Sequence, residues 1–111
     1  MAILSTSLTT TPIAVSPVLT TDSAVTVMFF CNLNAPDPLD SNVGKEYIDI
    51  FAVASGSNPS PLNQIANQIP VDAGDTFTFS TERLVLGPND RIHASTSTLN
   101  SVSVTISYVV I

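Results

Sequence analysis

From Ser101 to the C-terminus the chain alternates with a period of two. Val102, Val104, Ile106, Tyr108 and Val110 are apolar, and Ser101, Ser103, Thr105 and Ser107 between them carry hydroxyls. That is the pattern of an extended strand that buries one face and wets the other. It breaks at Val109 and Ile111, which are apolar on the hydroxyl side. Either the strand ends in core, or those two residues meet a neighbour.

The same reading recurs upstream. Ser23 to Cys31 is a strand with Val25, Val27 and Phe29 on one face and Thr26, Met28 and Phe30 on the other. Residues 32–42 are rich in Asn, Asp and Pro and form a long surface loop. Glu46 to Ala54 is a strand with Tyr47, Asp49, Phe51 and Val53 on one face and Ile48 and Ile50 on the other. Ser55 to Pro61 is a loop, and a strand through Ile65 to Val71 carries Pro70. Gly74 serves a tight turn before Thr76-Phe77-Thr78-Phe79, where aromatic and hydroxyl residues alternate. Leu84 to Leu86 is a short apolar run, and Gly87-Pro88-Asn89-Asp90 turns the chain into a strand from Arg91 to Thr96. No segment sustains a helical period. About eight short strands between turns predict an all-β fold, an antiparallel two-sheet sandwich or jelly roll. The expected core includes Val27, Phe29, Ile50, Phe77, Phe79, Leu84, Ile92, Val104 and Ile106.

Residues 1–21 read differently. Pro12 and Pro17 remove backbone donors, so this stretch is unsuited to a central strand. It is expected to be an edge strand or an extended arm that contacts a neighbour, with the sandwich domain spanning 22–111. Ile3, Leu4 and Leu8, together with Val109 and Ile111, are the candidate interface residues.

Composition narrows the function. Charged residues are 11% of the chain and hydrophobic residues 44%, too apolar for a disordered chain. With net charge −6 and only Lys45, Arg83 and Arg91 basic, the chain is a poor partner for a nucleic acid or an anionic membrane. Neutral surface at low charge density suits burial in an assembly. The single cysteine, Cys31, excludes an internal disulfide framework and a Cys-based zinc cluster. The start Met1-Ala2-Ile3-Leu4-Ser5-Thr6 lacks the basic and apolar regions of a secretory signal, so synthesis in a cytoplasm is expected.

No catalytic constellation emerges. His93 is the one histidine and is expected at the rim of a strand, with no motif supplying a nucleophile. Cys31 ends an apolar strand and is expected to be buried and inert. Asp37 with Asp40, and Asp72 with Asp75, offer oxygens that Ca²⁺ takes, but their role as turn formers accounts for them. With no Trp and only Tyr47 and Tyr108 as tyrosines, an aromatic sugar platform is unsupported. No enzyme activity and no cofactor are expected.

Five segments carry a resemblance. They are Ala24-Val25-Thr26-Val27-Met28-Phe29-Phe30-Cys31-Asn32, Ala73-Gly74-Asp75-Thr76-Phe77, Thr81-Glu82-Arg83-Leu84-Val85-Leu86, Asn89-Asp90-Arg91-Ile92 and Val104-Thr105-Ile106-Ser107-Tyr108. In their type and order they resemble small virion structural proteins of tailed phages, notably of marine and cyanobacterial phages, over most of the chain beyond residue 22. The resemblance implies a part of a phage particle. The leading expectation is a capsid decoration (cement) protein bound to the major capsid protein shell, located in the virion. A tail, baseplate or tail-fibre adaptor component is the alternative, and a free-standing glycan- or peptide-binding module is a third reading of another class. Self-association as a homotrimer or homodimer is expected.

Overall fold

The computed structural model describes residues 2–79 and 84–111. Thr81, Glu82 and Arg83 of the quoted run, and Met1 of the N-terminal stretch, lie outside the described residues. The described chain is all-β, with nine strands where about eight were expected. They are β1 (Ala2–Ser7), β2 (Ile13–Ala14), β3 (Ser23–Asn32), β4 (Glu46–Val53), β5 (Gln64–Val71), β6 (Thr76–Phe79), β7 (Leu84–Leu86), β8 (Arg91–Thr96) and β9 (Val102–Val110).

Two antiparallel sheets form a sandwich. Sheet A is five-stranded in the order β1-β9-β3-β6, with β7 also on β3. β9 occupies one edge of β3, so β6 and β7 share the other, at Met28–Cys31 and Ser23–Val25 respectively. Sheet B is four-stranded in the order β2-β8-β4-β5. Between the sheets Met28, Phe30, Ile48, Ile50, Ile92, Val102, Val104 and Ile106 are fully buried. Each such side chain contributes about 1.5–3 kcal/mol through removal from water. Phe30 and Phe77 pack as a tilted pair with ring centroids 6.1 Å apart.

Of the expected core, Ile50, Ile92, Val104 and Ile106 are fully buried, and Phe77, Phe79 and Leu84 pack partly buried against the same cluster. Phe29 and Val27 are corrections. Phe29 is 42% exposed, and Val27 is half-buried on the outward side. The cause is a β-bulge in β3. Val25 pairs with Tyr108 but Val27 pairs with Ser107, so Thr26 is an extra residue. The insertion inverts the alternation. Val25 points into the core before the bulge, and Met28, Phe30 and Asn32 do so after it. Thr26 Oγ1 donates to the Ser107 carbonyl at 3.0 Å and lies 2.9 Å from the Ser107 hydroxyl, so polar groups at the bulge are satisfied. Cys31 is carried outward with Phe29 and is half-buried, not enclosed as expected.

The N-terminal stretch is built into the sandwich. β1 pairs with β9 in one unbroken register, from Ala2↔Tyr108 to Ser7↔Ser103. Residues beyond it cross to the other sheet, where β2 pairs with β8 and the Ser16 hydroxyl accepts from the Ile92 N–H at 2.8 Å. Leu8, Val15 and Leu19 belong to the common core, and β1 is an edge strand of sheet A. Leu8 is therefore a correction as an interface residue. Its N–H continues the ladder to the Val102 carbonyl at 2.9 Å, and its side chain is fully buried.

A polar network pins one end of the sandwich. Buried Asn32, the last residue of β3, donates to the carbonyls of Gly44 (2.8 Å) and Val71 (2.9 Å) and accepts from the Asn34 N–H (2.9 Å). Buried Glu46 accepts from Thr96, Ser97 and Asn34 at 2.9–3.1 Å. The network joins sheet A to sheet B and anchors the 33–45 loop. Gly44 turns that loop at φ +78°, with the Cβ atoms of Ala73 and Asn34 3.1 Å from where its own would stand.

Candidate interaction surface

The outward face of sheet A follows from the registers. Ile3, Ser5 and Ser7 of β1 stand beside Ser107, Thr105 and Ser103 of β9. Those stand beside Val27, Phe29 and Cys31 of β3, and Phe29 and Cys31 stand beside Thr78 and Thr76 of β6. At the other end of β3, Ala24 lies between Val109 and Val85. Among the described residues this face holds no charged side chain.

Its polar groups are partly satisfied within the sheet. Ser5 and Thr105 hydroxyls are 2.9 Å apart, and Ser107 is bonded to Thr26. Its apolar groups are bare, with Ile3 70%, Val85 64% and Phe29 42% exposed. Strands about 4.8 Å apart, four abreast, against a nine-residue strand about 30 Å long give a face on the order of 500 Å². That approaches one partner's share of a specific interface.

The expected interface residues divide accordingly. Ile3 and Val109 fall on this face, one register step apart along β9, within diagonal reach of each other. Leu4 stands at the open edge of β1, 37% exposed on the core side. Ile111 lies past the end of β9, exposed, its N–H bonded to the Asp22 carbonyl at 3.0 Å. Phe29 and Val85 were not among the expected interface residues. The signal for Phe29 was present: consecutive aromatics in a strand face opposite sides, so one of Phe29 and Phe30 had to point outward.

The outward face of sheet B differs. It carries Asp49, Arg91 and His93 in registered positions, with Phe51 and Val53 buried beside them. Asp49 accepts from the Gln68 N–H at 2.7 Å and Gln64 Nε2 at 3.0 Å, and Arg91 donates to the Ser16 carbonyl at 2.7 Å. His93 pairs with Phe51 and Ala14. Desolvation by burial, and then the neighbouring Arg91 charge, hold its pKa below the ordinary histidine value. No base–nucleophile pair involving His93 is formed among the described residues.

The aspartates that sequence spacing grouped in two pairs meet in one open cleft of about 250 Å³, lined by Asp37, Asp40, Asp72 and Asp75 with Pro36 and Val43. Three of the four have a local task. Asp37 and Asp40 accept the N–H groups of Leu39 (2.8 Å) and Asn42 (2.9 Å) in turns, and Asp72 lies 3.5 Å from Lys45 Nζ. Among the described residues no three His, Cys, Asp or Glu side chains converge as a metal-holding group. No described helix is long and apolar enough to cross a membrane.

No protein-family model, no curated protein and no solved structure matches this chain.

Proposed function

We propose that the chain is a non-enzymatic structural protein of a phage particle, a decoration protein that lays the outward face of sheet A on the capsid shell. The supporting observation is the absence of charge from that face among the described residues, in a chain of net charge −6. Covering hydroxyls of which those of Ser5, Thr105 and Ser107 are already bonded within the sheet, with bare Phe29, Ile3 and Val85, desolvates no charge among the described residues and gains about 25 cal/mol per Å² of apolar surface. The resemblance of the Ala24–Asn32 and Val104–Tyr108 segments to virion proteins points the same way, and those strands are two of the strands that form the face.

Copy number in purified particles tests the reading. A symmetric shell calls for on the order of hundreds of copies, whereas about a dozen would mean a tail or fibre position. Absence from particles overturns the proposal in favour of a free-standing binding module. Phe29→Lys puts a charge at the middle of the face. It is expected to leave the circular dichroism spectrum unchanged and to abolish occupancy on particles.

A further inference from the structure

Sheets have edges, and an edge strand with free N–H and C=O groups is a template for another strand. Among the described residues three of the four edges are blunted. β2 is two residues long, between Pro12 and Pro17. β5 carries Pro70 and a positive φ at Gln68, and its pairing with β4 shifts register twice. On the far side of sheet A, β6 has four residues and β7 three.

β1 has none of these devices. It is six residues in unbroken register, without proline, bulge or charge, and no charged residue occurs before Asp22. Because the Leu8 N–H reaches the Val102 carbonyl, the even-numbered residues of β1 bond β9 and the odd-numbered ones turn their backbone groups away. Ile3, Ser5 and Ser7 thus present N–H and C=O to the open edge, and no other strand pairs there among the described residues.

We propose that the open edge of β1 pairs antiparallel with β1 of a second copy about a two-fold axis at Ser5. This register brings all three outward residues into bonded pairs, Ser5 with Ser5 of the other copy and Ile3 with Ser7 in both directions. Leu4 then faces Thr6 on the core side. Three features single out a second copy as the occupant. The strand is self-complementary under a two-fold axis, it brings no charge against its like in a strongly acidic molecule, and its pairing leaves only blunted edges among the described residues. The assembly therefore closes as a dimer with a continuous sheet and does not polymerise. This inference stands on the edge alone and is independent of the particle reading.

Sedimentation and hydrogen exchange test it. The protein is expected to dimerise with concentration, and the Ile3, Ser5 and Ser7 amides to gain exchange protection only in the dimer. Ser5→Pro removes an outward N–H without touching the β9 ladder, and is expected to weaken dimerisation on the order of a hundredfold or more. Should that variant misfold, Ser5→Lys keeps the strand and sets two ammonium groups across the axis, giving weakening that added salt relieves. A monomer at concentrations up to about 1 mM overturns the proposal. So does a dimer whose Ile3, Ser5 and Ser7 amides exchange freely, or one that a folded Ser5→Pro or Ser5→Lys variant forms as tightly as the parent.

Discussion

On its outward side sheet A sets Phe29 between Thr78 and Thr105, whereas sheet B sets His93 between Phe51 and Ala14 and Arg91 beside Val53. The two faces are built from the same strand chemistry but handle polarity in opposite ways. Sheet B buries Phe51 and Val53, leaves Tyr47 and Ile65 about as exposed as Phe29, and engages Asp49 and Arg91 with backbone and amide groups inside the domain. Covering it with another protein would strip water from the charges of Asp49 and Arg91, a cost with little return. Sheet A leaves phenylalanine, isoleucine and valine bare among hydroxyls. The difference teaches that two faces with similar exposed apolar residues can differ in charge, and interfaces exclude charge from their centres, which is why sheet A is the face we propose for association.

The sharpest way to break this comparison is at the two adjacent phenylalanines, for which the bulge at Thr26 decides which one points inward. Phe30→Ala empties a fully buried site and is expected to cost about 3–5 kcal/mol. Phe29→Ala is expected to cost less than about 1 kcal/mol, because its ring is already partly in water. Urea denaturation of both variants reads the difference. A larger loss for Phe29→Ala than for Phe30→Ala would mean that β3 does not invert its faces.

A second variant asks whether the two faces belong to one rigid body. Asn32 ties β3 of sheet A to Val71 of β5 in sheet B and to the 33–45 loop. Asn32→Ala removes the side-chain partner of the Val71 carbonyl and of the Asn34 N–H, while the Gly44 carbonyl keeps Asn34 Nδ2 at 2.9 Å, with an expected loss of about 1–3 kcal/mol. A thermal midpoint unchanged from the parent would show that the sheets hold together without it.

The smallest expected effect separates the faces by pH. Among the described residues, the outward face of sheet A has no histidine and no carboxylate. His93 on sheet B has a folded pKa below its unfolded value, so the unfolded state binds the proton more readily. Its contribution to stability is fully present above about pH 6.5 and is lost as pH falls through the lowered folded value. His93→Gln is expected to flatten the stability profile over that window, measured by denaturation at a series of pH values. A profile unchanged by the substitution would remove His93 as a source of the slope.

The all-β class was legible in residues alone. Alternation in Val102–Val110, hydroxyls opposite branched hydrophobes, and turns at Gly74 and Gly87–Asp90 are local signals with a period of two or a fixed turn chemistry. They placed Val104, Ile106, Ile92 and Ile50 correctly in the core. They could not place Val27 and Phe29, because one extra residue at Thr26 reverses every side chain after it, and a bulge exists only relative to the partner strand. Nor could they decide between an arm and an edge strand for β1, whose partner β9 lies about a hundred residues away in sequence and whose short pattern specifies no register by itself. The outward face of sheet A is the product of both. Its neutral residues are written in the chain, but their meeting on one surface required the pairing of β1, β9, β3 and β6, and burial of the opposite face against sheet B selected which side remained open to water.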